Sequence, residues 1–213
     1  MTMKNKRLIL LIACCCCLGS KAFAQHFVGV TGGYSINSMM SSLNEDLGNV
    51  SSWNNYGLMY KYYGGKWVGI QTGINYLEKG YQRDSTSERR YQILEVPFVT
   101  QLHYEFWKLR AIANAGVYAS YALSADNTTL YPNEPNKKPT TDEYTFSSTD
   151  YRFDYGLRFG GGLALMLHPV EIQFEFNYSV GLNFTHKPVN PPNRTVYNQL
   201  TQMVFSVGVL IAL

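Results

Sequence analysis

The chain has 213 residues, is 46% hydrophobic and carries a formal net charge of +3. Four of its 18 Lys and Arg residues and all four cysteines lie in residues 1–24, which hold no acidic residue, so the remainder has one more acidic than basic residue. That balance excludes the basic footprint of a nucleic-acid-binding protein. The remainder also has no cysteine, which excludes a disulfide framework, a thiol nucleophile and a cysteine metal site there.

The first residues predict export. A basic stretch at 4–7 precedes an apolar segment at 8–18 that is too short to span a bilayer as a helix. The small-x-small sequence at 22–24 then has the pattern that signal peptidase cleaves. We therefore predict a cleaved signal peptide over residues 1–24 and one mature domain over residues 25–213.

An alternative processing site is present in the same segment. The sequence "LIAC" at residues 11–14 resembles a bacterial lipoprotein site, in which Cys14 would carry the lipid. That site would leave a very short apolar region before Cys14 and three further cysteines after it. Cleavage after Ala24, with Gln25 as the mature N-terminus, is therefore favoured.

Residues 170–184 predict a β-strand that has one apolar and one polar face. The even positions are all apolar or aromatic: Val170, Ile172, Phe174, Phe176, Tyr178, Val180, Leu182 and Phe184. The odd positions are polar or small: Glu171, Gln173, Glu175, Asn177, Ser179, Gly181 and Asn183. This period of two is that of a strand, and it raises the question of whether the apolar face meets a protein core or lipid.

Most of the remaining chain shows the same alternation. In chain order the predicted strands are 25–36, 52–63, 66–81, 89–105, 108–124, 150–167, 169–184 and 195–213. The fifth is the least regular, because Ile112 and Tyr118 fall on its otherwise polar side. Pro97 lies in the middle of the fourth and predicts a bulge or a local bend, because proline cannot donate to the ladder.

The connections between the predicted strands alternate in length. Three are tight, at residues 64–66, 106–108 and 168–169, and four are longer and polar, at residues 37–51, 82–88, 125–149 and 185–194. The segment 125–149 is rich in Pro, Asn and Thr and predicts a surface loop. Short turns at one end and long loops at the other are typical of outer-membrane barrels, in which the short turns face the periplasm.

Aromatic residues collect where two membrane interfaces would lie. Tyr62, Tyr63, Trp67, Phe106 and Trp107 flank the short turns, whereas Tyr34, Trp53, Tyr81, Tyr121, Tyr151, Phe184 and Tyr197 lie toward the long loops. Aromatics are also enriched in the strands of soluble proteins. Together with the export signal and the loop asymmetry, however, they favour two aromatic belts. We predict an all-β fold, an eight-stranded antiparallel up-and-down transmembrane β-barrel in the outer membrane, with its apolar face toward lipid and lipopolysaccharide and a monomeric state.

Several segments resemble one known family. These are "GVTGGYSINSM" (29–39), "GIQTGINYLEKGYQ" (69–82), "YQILEVPFVTQLHYEF" (91–106), "AIANAGVYASYAL" (111–123) and "FDYGLRFGGGLAL" (153–165). They are similar to the PorT-like outer-membrane β-barrel family of Gram-negative bacteria. The resemblance implies an eight-stranded barrel. It also implies a role like that of the family's namesake, an accessory of a system that secretes proteases and adhesins.

The polar face of each strand predicts what fills the barrel. If the polar faces point into the lumen, they supply four cations and four carboxylates: Lys61, Arg110, Arg152 and Arg158, and Glu95, Asp154, Glu171 and Glu175. Charges in a narrow lumen must be paired, so we predict a network that places Arg110 or Lys61 near Glu171 and Glu175, and Glu95 near Arg158. The four histidines lack metal-site spacing, and we expect no catalytic site, metal or cofactor.

Three functions remain open from these residues. The favoured one is a non-catalytic envelope or protein-secretion accessory that acts on other proteins through its loops. The alternative is a small pore or a ligand-binding barrel. The third is an outer-membrane lipid-modifying enzyme, for which Ser120 or Ser124 would need His186 as a base at the outer rim.

Overall fold

The computed structural model describes residues 25–41, 48–134, 136–147, 150–183 and 198–213. The predicted signal peptide and the alternative lipid site at Cys14 lie outside the described residues. So does the predicted connection at 185–194. None of the described residues forms a helix that is long and apolar enough to cross a membrane.

The described chain is built from β-strands. In order they are β1 (Gln25–Ser41), β2 (Val50–Tyr63), β3 (Val68–Asp84), β4 (Ser87–Phe106), β5 (Leu109–Thr129), β6 (Thr140–Glu143), β7 (Phe153–Leu167), β8 (Val170–Gly181) and β9 (Asn198–Ala212). The eight long strands cover the eight predicted ones with shifted ends, and β6 was not predicted.

The eight long strands close into one antiparallel barrel. Each pairs with its neighbours along the chain, β5 pairs with β7 past the short β6, and β1 closes the circle by pairing with β9. Closure leaves none of these strands as a barrel edge. The backbone donors and acceptors of the wall are therefore paired with one another and need no water. The predicted fold class is confirmed.

The barrel wall is apolar outside and polar inside. On β8, Phe174 is 56% exposed on the outer surface, while its neighbours Gln173 and Glu175 are 1% and 5% exposed on the lumen side. Aromatic pairs lie toward both ends of the wall, with Trp67 stacked on Tyr104 at the short-turn end. The apolar face of the sequence pattern is therefore the outer face of the barrel.

Two of the predicted outer connections, at 82–88 and 125–149, contain more strand than expected. Residues 82–88 form a tight hairpin, in which β3 and β4 continue to Asp84 and Ser87 around a two-residue turn. Thr86 donates to the Asp84 Oδ1 atom from its backbone nitrogen (2.7 Å) and from its hydroxyl (2.6 Å). A carboxylate that accepts a hydrogen bond from the backbone nitrogen two residues later is enough to close such a turn.

The predicted loop 125–149 also contains regular structure. β5 continues to Thr129, and Thr140–Glu143 pairs with Asp126–Thr129 as β6. Its Pro and Asn residues indicate a loop, but the threonines are good strand formers and pair across the two strands. We call the resulting extension of β3, β4, β5 and β6 past the rim, residues 80–84, 87–90, 126–129 and 140–143, the protruding sheet.

Pro97 does not produce the expected bulge. Thr72 pairs with Phe98 and Asn75 pairs with Glu95, so the register of β3 on β4 is the same on both sides of the proline. The Thr72 hydroxyl donates to the Pro97 carbonyl oxygen at 2.8 Å, which adds a bond where the ladder is weakened. The irregularity of β4 lies instead at Gln92/Ile93, where its register on β5 shifts.

The outward position of Phe174 can be tested by placing a charge there. Phe174→Arg should lower the free energy of unfolding in lipid vesicles by about 2–4 kcal/mol, because an arginine inside the apolar band must be desolvated. Denaturant unfolding in vesicles measures the change. Phe106→Arg, at the end of β4 beside the turn, is the matched control and should cost about 0–1 kcal/mol, as expected near the interface. Equal costs at the two positions would contradict the assignment.

Candidate functional site: the charged and capped lumen

The lumen is filled by charged side chains from six of the eight long strands. Six of the residues predicted to form a charge network are at most 6% exposed and point inward: Lys61, Glu95, Arg110, Arg158, Glu171 and Glu175. Asp154 also faces the lumen, with 22% of its side chain exposed. These side chains form two clusters at different heights in the barrel.

The lower cluster lies toward the short turns and centres on Glu171 of β8. Lys61 of β2 lies 3.0 Å from one of its carboxylate oxygens, and Arg110 of β5 pairs with the other. The Arg110 Nε atom also donates to Glu105 at 2.9 Å. One carboxylate thus joins three strands that are not neighbours in the barrel wall.

A tyrosine completes the lower cluster. The Tyr63 ring lies 4.1 Å below the Arg110 guanidinium, and its hydroxyl donates to Gln101 at 3.1 Å. Gly69 leaves the space for this ring, because a Cβ atom there would lie 2.4 Å from a ring carbon. His103 contacts the same ring, with 4.5 Å between centroids.

Glu175 is bound by amides rather than by a cation. The side-chain nitrogen of Gln71 donates to one of its oxygens at 3.3 Å, and that of Asn114 donates to the other. A buried carboxylate needs such donors, since an unmatched buried charge is expensive. The amide side chains of Gln71 and Asn114 therefore extend the ionic network.

The upper cluster centres on Glu95 of β4. Arg158 of β7 pairs with one of its oxygens, and Lys79 of β3 lies 3.2 Å from the other. Lys79 also lies 3.8 Å from Asp154 and 4.2 Å from the centre of the Tyr118 ring. The Tyr118 hydroxyl donates to Asp154 at 2.9 Å, so the irregular fifth strand supplies a ring to the lumen.

Two members of the network differ from the expectation. Arg152 does not join the carboxylates. It lies outside the strands and donates to the backbone carbonyls of Ala122 and Leu123. Lys79, which was not among the predicted lumen charges, takes the fourth cationic place and is 1% exposed. It has the inward parity of Gln71 and Asn75, so extending the alternation along β3 would have found it.

The charges of the lumen balance. Apart from Glu105, whose side chain is 47% exposed, the two clusters contain, among the described residues, the cations Lys61, Lys79, Arg110 and Arg158 and the carboxylates Glu95, Asp154, Glu171 and Glu175. Between the clusters lies a cavity of about 40 Å³, bordered by side chains of both. Such a space holds a water molecule or two, and several lumen amides have polar atoms that water would satisfy.

An apolar cap lies above the upper cluster, at the end opposite the short turns, which we call the outer end. It consists of Met39, Leu77, Tyr81, Tyr91, Ile93, Ala122, Ala125 and Leu200, and Tyr144 and Phe146 pack against it. These two aromatics follow β6 directly, so the chain turns back from the protruding sheet over the mouth of the barrel. The Tyr144 backbone nitrogen donates to the Ala125 carbonyl at 2.7 Å.

Cations hold the cap in place. The Arg89 guanidinium lies 3.9 Å from the centre of the Tyr144 ring, and that of Arg152 lies 4.5 Å from the centre of Phe146. Burial raises the pKa of the Tyr144 hydroxyl, which donates to Asp150 at 2.8 Å. Arg152 thus serves the cap instead of the lumen network.

Removing one carboxylate from the upper cluster should show how far the network stabilises the barrel. Glu95→Ala leaves Lys79 and Arg158 facing each other in a buried space, and we expect a loss of about 3–5 kcal/mol in the free energy of unfolding. Glu105→Ala is the matched control, because that side chain is 47% exposed and its ion pair is worth about 1 kcal/mol or less. Denaturant unfolding in lipid vesicles compares them, and similar small losses for both variants would contradict a tightly paired lumen.

Solved structures share this architecture. The chain is similar to the outer membrane protein OprG from Pseudomonas aeruginosa, with 11% identity, a TM-score of 0.53, and coverage of 89% of this chain and 96% of that one. It is also similar to Neisserial surface protein A, with 10% identity, a TM-score of 0.51 and coverage of 88% and 97%. For the outer membrane protein AlkL, determined in lipid bilayers, identity is 13%, the TM-score 0.52 and coverage 92% of each chain. At these identities the likeness shows the fold alone.

Comparison of the sequence with curated proteins found no match. Residues 23–187 match the family described as outer membrane protein beta-barrel domain, which spans more than half of the chain. The closed barrel, its apolar outer wall and this match agree. The chain belongs to the outer membrane protein beta-barrel domain family and lies in the outer membrane.

Proposed function

We propose that the protein is a non-catalytic outer-membrane barrel that acts through its outer end on other components of the envelope, as an accessory of envelope assembly or protein secretion. The observation that carries the proposal is the closed lumen. Two ion-pair clusters and an apolar cap lie one above the other along the axis. A barrel filled in this way offers partners its ends and its outer wall.

The charge balance of the lumen argues against a selective pore. A pore for ions of one sign would be favoured by an excess of the opposite sign along its wall. Here each buried carboxylate has a cationic or amide partner, and moving Lys79 or Arg110 aside would leave an unmatched charge. The contents of the lumen therefore support a structural role for its charges.

The protruding sheet is the feature best placed to meet a partner. All four residues of Thr140–Glu143 are exposed, and β6 is its short terminal strand. Strands at the edge of a sheet present backbone donors and acceptors that an extended segment of another protein can pair with. The sheet stands above the rim, where such a segment could reach it.

The geometry around Ser120 supports a non-catalytic role. Ser120 is buried, and its hydroxyl donates to the Asp154 backbone carbonyl at 3.4 Å. His103 lies in the lower cluster against Tyr63. A serine nucleophile needs a base within hydrogen-bond reach. His186, the base that an enzyme would need here, lies outside the described residues.

The resemblance to PorT-like barrels supports the secretion part of the proposal. It rests on segments that the barrel uses structurally, including Lys79 and Glu95 of the upper cluster. The apolar outer wall suits a barrel surrounded by outer-membrane lipid and lipopolysaccharide, and a closed barrel needs no second subunit to pair its strands. We therefore propose a monomeric barrel whose partners are envelope or secretion proteins.

Site-specific cross-linking in cells tests the proposed role of the outer end. A photoreactive amino acid at Thr141, in the protruding sheet, should give a discrete adduct with an envelope or secreted protein, identified by mass spectrometry. The matched control carries the same group at Lys108, in the short turn between β4 and β5. Adducts from Lys108 together with none from Thr141 would contradict the proposal and move the contact surface to the periplasmic end.

A further inference from the structure

A groove of about 770 Å³ runs over the outer wall of the barrel, across five adjacent strands from β2 to β7. Its outward-facing lining is Gly32, Tyr34, Trp53, Tyr56, Gly161, Leu163, Phe174, Phe176, Phe205 and Val207. Every side chain in this set is apolar or aromatic. The groove is separate from the lumen site and faces the surroundings of the barrel.

The groove exists because two outward positions have no side chain. Register pairs Gly32 with Val207, Val207 with Phe174, and Phe176 with Gly161, so the glycines lie at either side of the set. Rings rise around them. Phe176 and Phe205 lie 5.1 Å apart between ring centroids, and bulky residues on β2 and β7 border the sides.

Gly32 is not required by the fold. A Cβ atom built there would meet nothing closer than the Asn55 carbonyl oxygen at 3.8 Å, which is an ordinary contact. None of the glycines in the described chain has a positive φ. The backbone conformation at Gly32 can therefore be adopted by other residue types. The missing side chain therefore keeps space outside the barrel free without relieving any strain within it.

We propose that this groove binds a hydrocarbon chain of an outer-membrane lipid as a retained ligand. The groove lies on the lipid-facing wall, between rows of outward apolar side chains. Ligand sites of about 300–1,000 Å³ with a mainly hydrophobic lining are usual for small molecules, and this one has that size and character. A flexible chain of methylene groups is the apolar ligand that is available at the lipid-facing wall.

The shape of the groove favours a lipid over a second copy of the barrel. In a symmetric dimer the same concave surface would face itself and leave the space empty. An asymmetric contact, with a convex part of one barrel in the groove of the next, would not close and would lead to open assemblies. A single hydrocarbon chain that lies in the groove has no such consequence.

Retention arises from packing. Lipid tails are as apolar as the wall, so no hydrophobic gain distinguishes the groove from the bulk bilayer. The gain comes from the many close contacts that a chain makes with Phe176, Phe205 and the floor at Val207. Each contact is weak, and only their sum is large. Filling the floor with a protein side chain should therefore abolish retention.

Trp53 borders the groove and gives a direct reporter. The chain has three tryptophans, and Trp67→Phe with Trp107→Phe leaves Trp53 alone. This background, purified in detergent, is titrated with a phospholipid whose acyl chains carry bromine, which quenches tryptophan fluorescence on contact. We expect quenching that saturates at a low ratio of lipid to protein, because one site is being filled.

Three further substitutions in this background decide the outcome. Gly32→Leu and Val207→Phe fill the groove and should remove the saturable phase, while Ala115→Leu adds the same bulk to the lipid-facing side of β5 and should keep it. Different migration of unheated and boiled samples on gels verifies that each barrel is folded, and having two filling variants guards against one that does not fold. Unsaturable quenching that is alike in the starting background and all three variants would overturn the proposal.

Discussion

The structure depends on one constraint: closing eight strands leaves an interior that side chains must fill. A barrel of this size is only wide enough for side chains or one small ligand. In this chain the inward faces are polar, so filling the lumen means burying charges. Buried charges stabilise a fold only where each has a partner, and the arrangement of Lys61, Glu95, Arg110 and Glu171 follows from that requirement.

The ion pairs also act across the barrel. Hydrogen bonds of the wall connect only neighbouring strands, whereas Glu171 joins β8 to β2 and β5, and Glu95 joins β4 to β7 past β5. These side chains tie non-neighbouring strands together and fix the cross-section. With the interior occupied and the apolar cap above it, contact with other molecules falls to the protruding sheet and the outer wall.

Much of this follows from the sequence, because the period of two is unambiguous where one face is lipid and the other polar. The eight strands, seven of the eight predicted inward charges and the short turns follow from that alternation. The outer hairpins do not follow from the alternation, because Asp84, Thr86 and the threonines of β6 act through pairing that composition does not reveal. The inward position of Lys79 could have been predicted by extending the alternation along β3. The position of Arg152, in contrast, depends on the path of the chain beyond β5. The groove requires the register, because Gly32 and Gly161 are distant in sequence.

Conductance in planar lipid bilayers tests the closed lumen most directly. The wild-type barrel should show little steady conductance, because the cavity between the two clusters is only about 40 Å³ and the cap lies above the upper cluster. Glu171→Ala combined with Glu175→Ala should destabilise folding, since it leaves Lys61 and Arg110 without their shared carboxylate, and should not change ion selectivity. A stable, large and ion-selective conductance from the wild type would contradict the closed lumen and favour the pore.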